Sequence, residues 1–172
     1  MEHLDFWYPL LGDYKNLNKI LEIGSYEGRS ACWFLTNTLA INGELTCVDN
    51  WTASDTSYAK FIKNVSKCKT KEQSVKIIKK NSYDALCELN ANNQSYDLIF
   101  IDGGHTALQC LSDIILSFNL LNKNGILVID DYLLTGDRLN TPKLGIDIFN
   151  ILYADRIKLL HSSYCMIYQK TA

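Results

Sequence analysis

Short apolar runs alternate with amphipathic helical stretches along almost the whole chain, and this alternation restricts the fold more than any other feature. Ile20–Ile23, Glu44–Val48, Val75–Ile78, Tyr96–Ile101 and Ile126–Ile129 read as five strands. Ser30–Leu39, Ser57–Val65, Tyr83–Leu89, Thr106–Leu121 and Leu144–Tyr153 read as the helices that follow them. The first helix puts Ala31, Phe34, Leu35 and Thr38 on one face. Asn42-Gly43 and Asn122-Lys123-Asn124-Gly125 read as helix stops. The run Tyr96–Ile101 is apolar enough for the centre of a sheet. Parallel neighbours need a crossover, usually a helix, so five strand–helix units imply a mostly parallel sheet. The end of the chain changes character. Arg156–His161 and Tyr164–Gln169 read as two strands joined by Ser162-Ser163, a connection short enough for an antiparallel hairpin.

At 172 residues the chain fits one domain, 1–172, with a substantial core. A net charge of −2 and the lack of any basic block argue against a nucleic-acid partner. Cys32, Cys47, Cys68, Cys87, Cys110 and Cys165 show no CxxC pairing, so neither a zinc site nor a disulfide framework is expected. Met1–Leu11 is acidic and aromatic rather than basic then apolar, unlike a secretory leader. No apolar run is long enough to cross a bilayer. The expectation is a cytoplasmic protein without a membrane partner; whether it forms a homo-oligomer is left open.

The polar residues collect where the strands end: Glu22, Asp49, Ser82, Asp102 with His105, and Asp130 with Asp131. In parallel sheets ligands sit beyond those carboxyl ends, so the clustering points to an active site. The first of these ends is Leu21-Glu22-Ile23-Gly24-Ser25-Tyr26-Glu27-Gly28-Arg29-Ser30, a strand handing over to a helix through a two-glycine loop. Gly24 permits a tight turn, and Gly28 lets a ligand or the neighbouring strand approach the helix start. The loop is neither GxGxxG nor a P-loop, and alone it fits an ordinary strand-to-helix turn equally well.

Asp49 follows the second strand where an acid would grip ribose hydroxyls, although a helix-capping aspartate has the same look. Trp51 could lie on a base or fill the core edge. Asn81 and Ser82 could bond a base edge, cap the next helix, or do both. In Asp102-Gly103-Gly104-His105 the glycines make room for a ligand, and His105 stands where it could take a proton near neutral pH. Asp130-Asp131 places two carboxylates side by side, which repel unless a cation or donors relieve them. With Asp102 they could hold Mg²⁺ or another divalent ion, or they could simply cap a turn and face water.

These segments together resemble the class I S-adenosylmethionine-dependent methyltransferases over nearly the whole chain. The closest likeness is to a small group with Asp-Gly-x-His and Asp-Asp-Tyr segments, related to sugar and macrolide O-methyltransferases and more distantly to catechol-type ones. The matching pieces are Glu22–Gly28, Val48–Trp51, Phe100–His105 and Leu120–Tyr132. The resemblance implies an α/β fold: a Rossmann-like three-layer sandwich with a mostly parallel seven-stranded sheet and a C-terminal antiparallel hairpin. It implies S-adenosyl-L-methionine as cofactor, held by Glu22, Gly24, Ser25, Tyr26, Gly28 and Ser30. Asp49 would hold the ribose with Asn50 beside it, Trp51 or Ser82 the adenine, and Asp102 would also line the cofactor site. His105 would act as general base with Asp102, and Asp102, Asp130 and Asp131 would hold a divalent metal. The lysine of the catechol-type enzymes falls at His105, and their last metal position, an amide, at Asp131. The acceptor would be a small hydroxylated molecule. Two other readings stay open: a binding module that keeps the pocket without catalysis, and a nicotinamide-dependent oxidoreductase, against which the missing GxGxxG and the closing hairpin argue.

Overall fold

The computed structural model describes residues 8–172, so the expectation drawn from Met1–Leu11 lies largely outside the described residues. A short helix α1 (Tyr8–Leu11) leads into β1 (Leu17–Ile23), α2 (Arg29–Asn37), β2 (Leu39–Asp49), α3 (Ser57–Cys68), β3 (Ser74–Lys79) and α4 (Ser82–Ala91). Then follow β4 (Tyr96–Ile101), α5 (Ala107–Leu120), β5 (Leu121–Ile129), a 3₁₀ turn at Arg138–Asn140, α6 (Lys143–Leu152), β6 (Ile157–Ser162) and β7 (Met166–Lys170). The seven strands form one sheet in the order β3-β2-β1-β4-β5-β7-β6. The first five pair in parallel, while β7 pairs antiparallel with both β5 and β6. This is the three-layer Rossmann-like sandwich expected from the sequence.

Period-two alternation splits the core between the two faces of the sheet. Ile99 and Ile101 of β4 point to a cluster built with Leu86 of α4, Ile114 and Phe118 of α5 and Phe149 of α6. Leu98 and Phe100 point the other way, to Phe34 of α2, Phe61 and Val65 of α3 and Leu11 of α1. Both faces of the central strands are covered by helices, as an all-parallel centre requires. Among the described residues no helix is long and apolar enough to cross a membrane.

Two boundaries differ from the sequence reading for a shared reason. Helix α2 stops at Asn37 and β2 already begins at Leu39, so Asn42-Gly43 lies inside a strand rather than ending a helix. Likewise α5 stops at Leu120, and Asn122–Gly125 lies inside β5. In both strands the pairing slips: Leu17 faces Leu39 but Lys19 faces Glu44, and Tyr96 faces Leu121 but Leu98 faces Ile126. The extra residues bulge out. A Cβ on Gly43 or on Gly125 would stand 2.8 Å from the side chain of Leu39 or Leu121, so each glycine lets a leucine fold back beneath the bulge. The Asn-Gly signal marks a bulge here because the leucine before it is already paired to a neighbouring strand.

Candidate active site

The strand order reverses between β1 and β4, and the ladders stay closed up to that point. Gly24 N–H donates to the Val48 carbonyl at 2.9 Å, Asp102 N–H to Ile23 at 2.8 Å and Asp130 N–H to Ile101 at 2.9 Å. Helices leave the sheet in opposite directions on the two sides of the reversal, which opens a crevice. A cleft of about 440 Å³ lies there, lined among others by Gly24, Tyr26, Asp49, Asn50, Ser82, Asp102 and His105. A second hollow of about 600 Å³ shares Asn50, Ser82 and Gly104 with it and continues to Tyr83, Leu108 and Asp113.

The turn after β1 is fixed by close backbone packing. Gly24 has φ +87°, and a Cβ there would stand 1.8 Å from the carbonyl oxygen of Asp102. No other residue fits. Gly28 also has a positive φ, but the atoms against it are the side chains of Phe61 and Val65. Its missing side chain therefore serves the contact between α2 and α3, not the approach of a ligand or a strand.

Glu22, Ser25 and Ser30 come together beneath the cleft. Glu22 is fully buried and its two carboxylate oxygens accept from the hydroxyls of Ser25 and Ser30, each at 2.5 Å. Burial raises its pKa to about 7, against the lowering effect of the two hydroxyls. The triad ties the glycine loop to β1 from below; none of the three lines the cleft.

Asp49 is oriented by backbone donors. Its oxygens accept from Tyr26 N–H at 2.8 Å and Trp51 N–H at 2.6 Å, while the carboxylate still borders the cleft. Asn50 donates to the Asn81 side-chain carbonyl at 3.0 Å, which links the ends of β2 and β3. Trp51 departs from the base-stacking option. Its ring is 5% exposed, packs on Tyr58 and Phe61, and donates from Nε1 to the Tyr26 carbonyl at 2.7 Å. It fills the core edge and braces the loop. Ser82 opens α4 at the junction of both hollows, near the largely buried carboxyl of Asp113.

The ends of β4 and β5 bring Asp102, His105 and Asp131 together, with one ligand atom from each within 4.8 Å of the others. His105 Nε2 lies 3.0 Å from Asp131 and 4.0 Å from Asp102. Hydrogen bonding to Asp102 and Asp131 raises its pKa to about 10, although the ring is more than half exposed. Burial raises the pKa of Asp102 even though a third of its side chain stays exposed. Asp130 stands apart from the metal set drawn from sequence. It is 6% exposed, accepts from the Asp131 N–H at 2.9 Å, and burial lifts its pKa to about 7. The Asp131 backbone turns left-handed (φ +63°), so the two carboxyls do not point the same way. The donor groups that converge are therefore two carboxylates and one imidazole, with His105 in the place expected of Asp130, a set better suited to a transition-metal ion than the all-oxygen set expected for Mg²⁺.

A Rossmann-like sheet with a crevice at its reversal, bordered by an acid after β2 and a His–carboxylate cluster after β4 and β5, has the layout of a nucleotide-cofactor fold. The family described as methyltransferase domain matches residues 21–132, and the chain belongs to it. O-methyltransferase ankF of Aspergillus thermomutatus is 29% identical over 135 residues, covering 76% of this chain and 54% of its own length. The chain thus spans about half the length of this curated relative. Among solved structures, an O-methyltransferase from Bacillus cereus in complex with SAH superposes with a TM-score of 0.75 at 18% identity, covering 100% of this chain and 82% of that one. An rRNA methylase from Streptococcus thermophilus superposes with a TM-score of 0.71 at 11% identity, covering 100% and 98%. Likeness at such identities shows the fold.

Proposed function

We propose that this chain is an S-adenosyl-L-methionine-dependent O-methyltransferase acting on a hydroxyl of a small molecule. The observation that carries the reading is the pairing of a cofactor-type cleft with the His105–Asp131 contact at its mouth. Asp49 would accept from the ribose hydroxyls, since its two oxygens are already aimed by backbone N–H groups and keep free lone pairs. Asn50 and Ser82 would meet the base across the shared wall of the two hollows. Glu22, Ser25 and Ser30 would hold the loop that carries Gly24 and Tyr26.

The cofactor supplies an already activated methyl group on a sulfonium. The protein's work is to align the acceptor in line with it and to remove the acceptor's proton. His105 is the base in this reading. Between Asp102 and Asp131 its imidazole is protonated at neutral pH. Bound in the cleft that His105 lines, a cationic ligand would favour the neutral ring, the form able to take a proton. Asp131 then holds the imidazolium that forms. Were a divalent ion instead held by Asp102, His105 and Asp131, the imidazole would be its ligand and not the base, and the ion would supply the lowered pKa of a bound hydroxyl.

Calorimetric titration with S-adenosylmethionine, S-adenosylhomocysteine and NAD tests the cofactor. Micromolar binding of the first two and none of NAD is expected, and the reverse order overturns the reading. Methyl transfer to a panel of hydroxylated compounds follows; cofactor binding without transfer to any acceptor would favour a non-catalytic binding module.

A further inference from the structure

The strand register brings into the site a residue that the sequence reading left inside a strand. β5 and β7 pair antiparallel with Ile129 opposite Met166. Carried two residues past the sheet, the same register sets Asp131 opposite Tyr164. The chains do stay together there, because Tyr132 N–H donates to the Tyr164 carbonyl at 2.8 Å. The Tyr164 phenol lies within reach of the Asp131 carboxylate: its pKa is pushed up to about 12 by burial and then by the charge of Asp131 and hydrogen bonding to it. The turn that presents it is braced by Ser163 N–H donating to the Cys165 carbonyl at 3.0 Å and by His161 Nε2 against Ser163 Oγ at 2.7 Å.

Asp131 needs such an anchor. It is a non-glycine residue in left-handed backbone at the end of a strand, and its carboxylate reaches across to His105 on the neighbouring strand end. Resting on the methyltransferase reading for what the site does, we propose that Tyr164 is a positioning residue. Its hydroxyl fixes the Asp131 carboxylate toward His105, so the C-terminal hairpin completes the acceptor end of the cleft. The hairpin is then part of the active site as well as an edge of the sheet.

Tyr164→Phe removes only the hydroxyl from a side chain that is partly exposed, so the fold is expected to survive it, as the melting temperature will show. The test uses protein labelled with ¹⁵N-histidine, at fixed pH in chelator-treated buffer. The His105 ring resonances are expected to shift in Tyr164→Phe, while those of His161 and the melting temperature stay put. In an Asp131→Asn background the same substitution is expected to leave His105 unmoved, since the hydroxyl acts through that carboxylate. Turnover should fall about tenfold, with the KM for S-adenosylmethionine and the affinity for S-adenosylhomocysteine within about twofold. Unmoved His105 resonances in the single variant, or an equal shift in both backgrounds, overturn the proposal. If the wild-type protein fails to bind S-adenosylhomocysteine, the methyltransferase reading falls, while the spectroscopic test of Tyr164 stands unaffected.

Discussion

Replacing Glu22 with glutamine should make the protein more stable relative to wild type as the pH rises. Glu22 is fully buried, and its carboxyl pKa is raised from 4.5 to about 7. For an acid with a raised folded-state pKa, the unfolded chain releases its proton first. The stability it contributes is full below the unfolded value and is lost as pH rises through about 7. At about 1.4 kcal/mol per pH unit, the whole loss is about 3 kcal/mol. Between pH 5.5 and 8.5 roughly 2 kcal/mol of it falls away, because part is already gone at the lower end. Glu22→Gln keeps the shape and leaves the Ser25 and Ser30 hydroxyls free to turn as donor or acceptor, so it does not titrate. Thermal melts of both proteins across that range read the effect. One kcal/mol moves the midpoint of a domain of this size by about 2–4 °C, so the gap between variant and wild type should open by roughly 4–8 °C in the variant's favour. Other titrating groups are common to both proteins and cancel in the difference. A gap that stays constant from pH 5.5 to 8.5 would refute the reasoning, because it would mean that Glu22 keeps its ordinary pKa in the folded protein.

Gly24→Ala drives a Cβ against the Asp102 carbonyl in a left-handed backbone. It should cost more than about 2 kcal/mol and abolish S-adenosylhomocysteine binding by calorimetry. Asp49→Asn leaves one amide oxygen to serve two backbone donors and turns an NH₂ toward the other. Losing one charge-assisted bond of roughly 1.5–3 kcal/mol should weaken S-adenosylhomocysteine about 10- to 100-fold, read in the same titration. His105→Ala should leave that affinity within a few fold and lower kcat by about 10²–10⁴. Full turnover in this variant removes His105 as the base.

Much of the architecture was legible in the chain. Tyr96–Ile101, apolar except at Asp97, and Ile126–Ile129 read as strands because their apolar runs are nearly unbroken, and the structure buries those apolar residues on both faces. The polar strand ends pointed to the crevice, and Asp49, Asn50, Ser82, Asp102 and His105 do line it. Sequence failed where a residue's role depends on what packs against it from elsewhere. Gly28 looked like room for a ligand or the adjacent strand and proved to be room for Phe61, thirty-three positions on. Trp51 had two readings that composition alone could not separate, and the packing of Tyr58 and Phe61 decided between them. Asp130 and Asp131 looked equivalent until a left-handed turn between them sent one carboxyl into the protein and the other to His105.

The division follows the range of the forces. Hydrophobic periods of two and of three to four residues, glycine turns and polar strand ends act over a few positions, so the sequence by itself determined the element types, the layered α/β class and the end of the sheet that carries chemistry. Which strand ends stand side by side depends on strand order and register, set by the whole sheet closing at once. Only that closure brought His105 within 3.0 Å of Asp131 and carried Tyr164 from the far end of the chain to the same strand end.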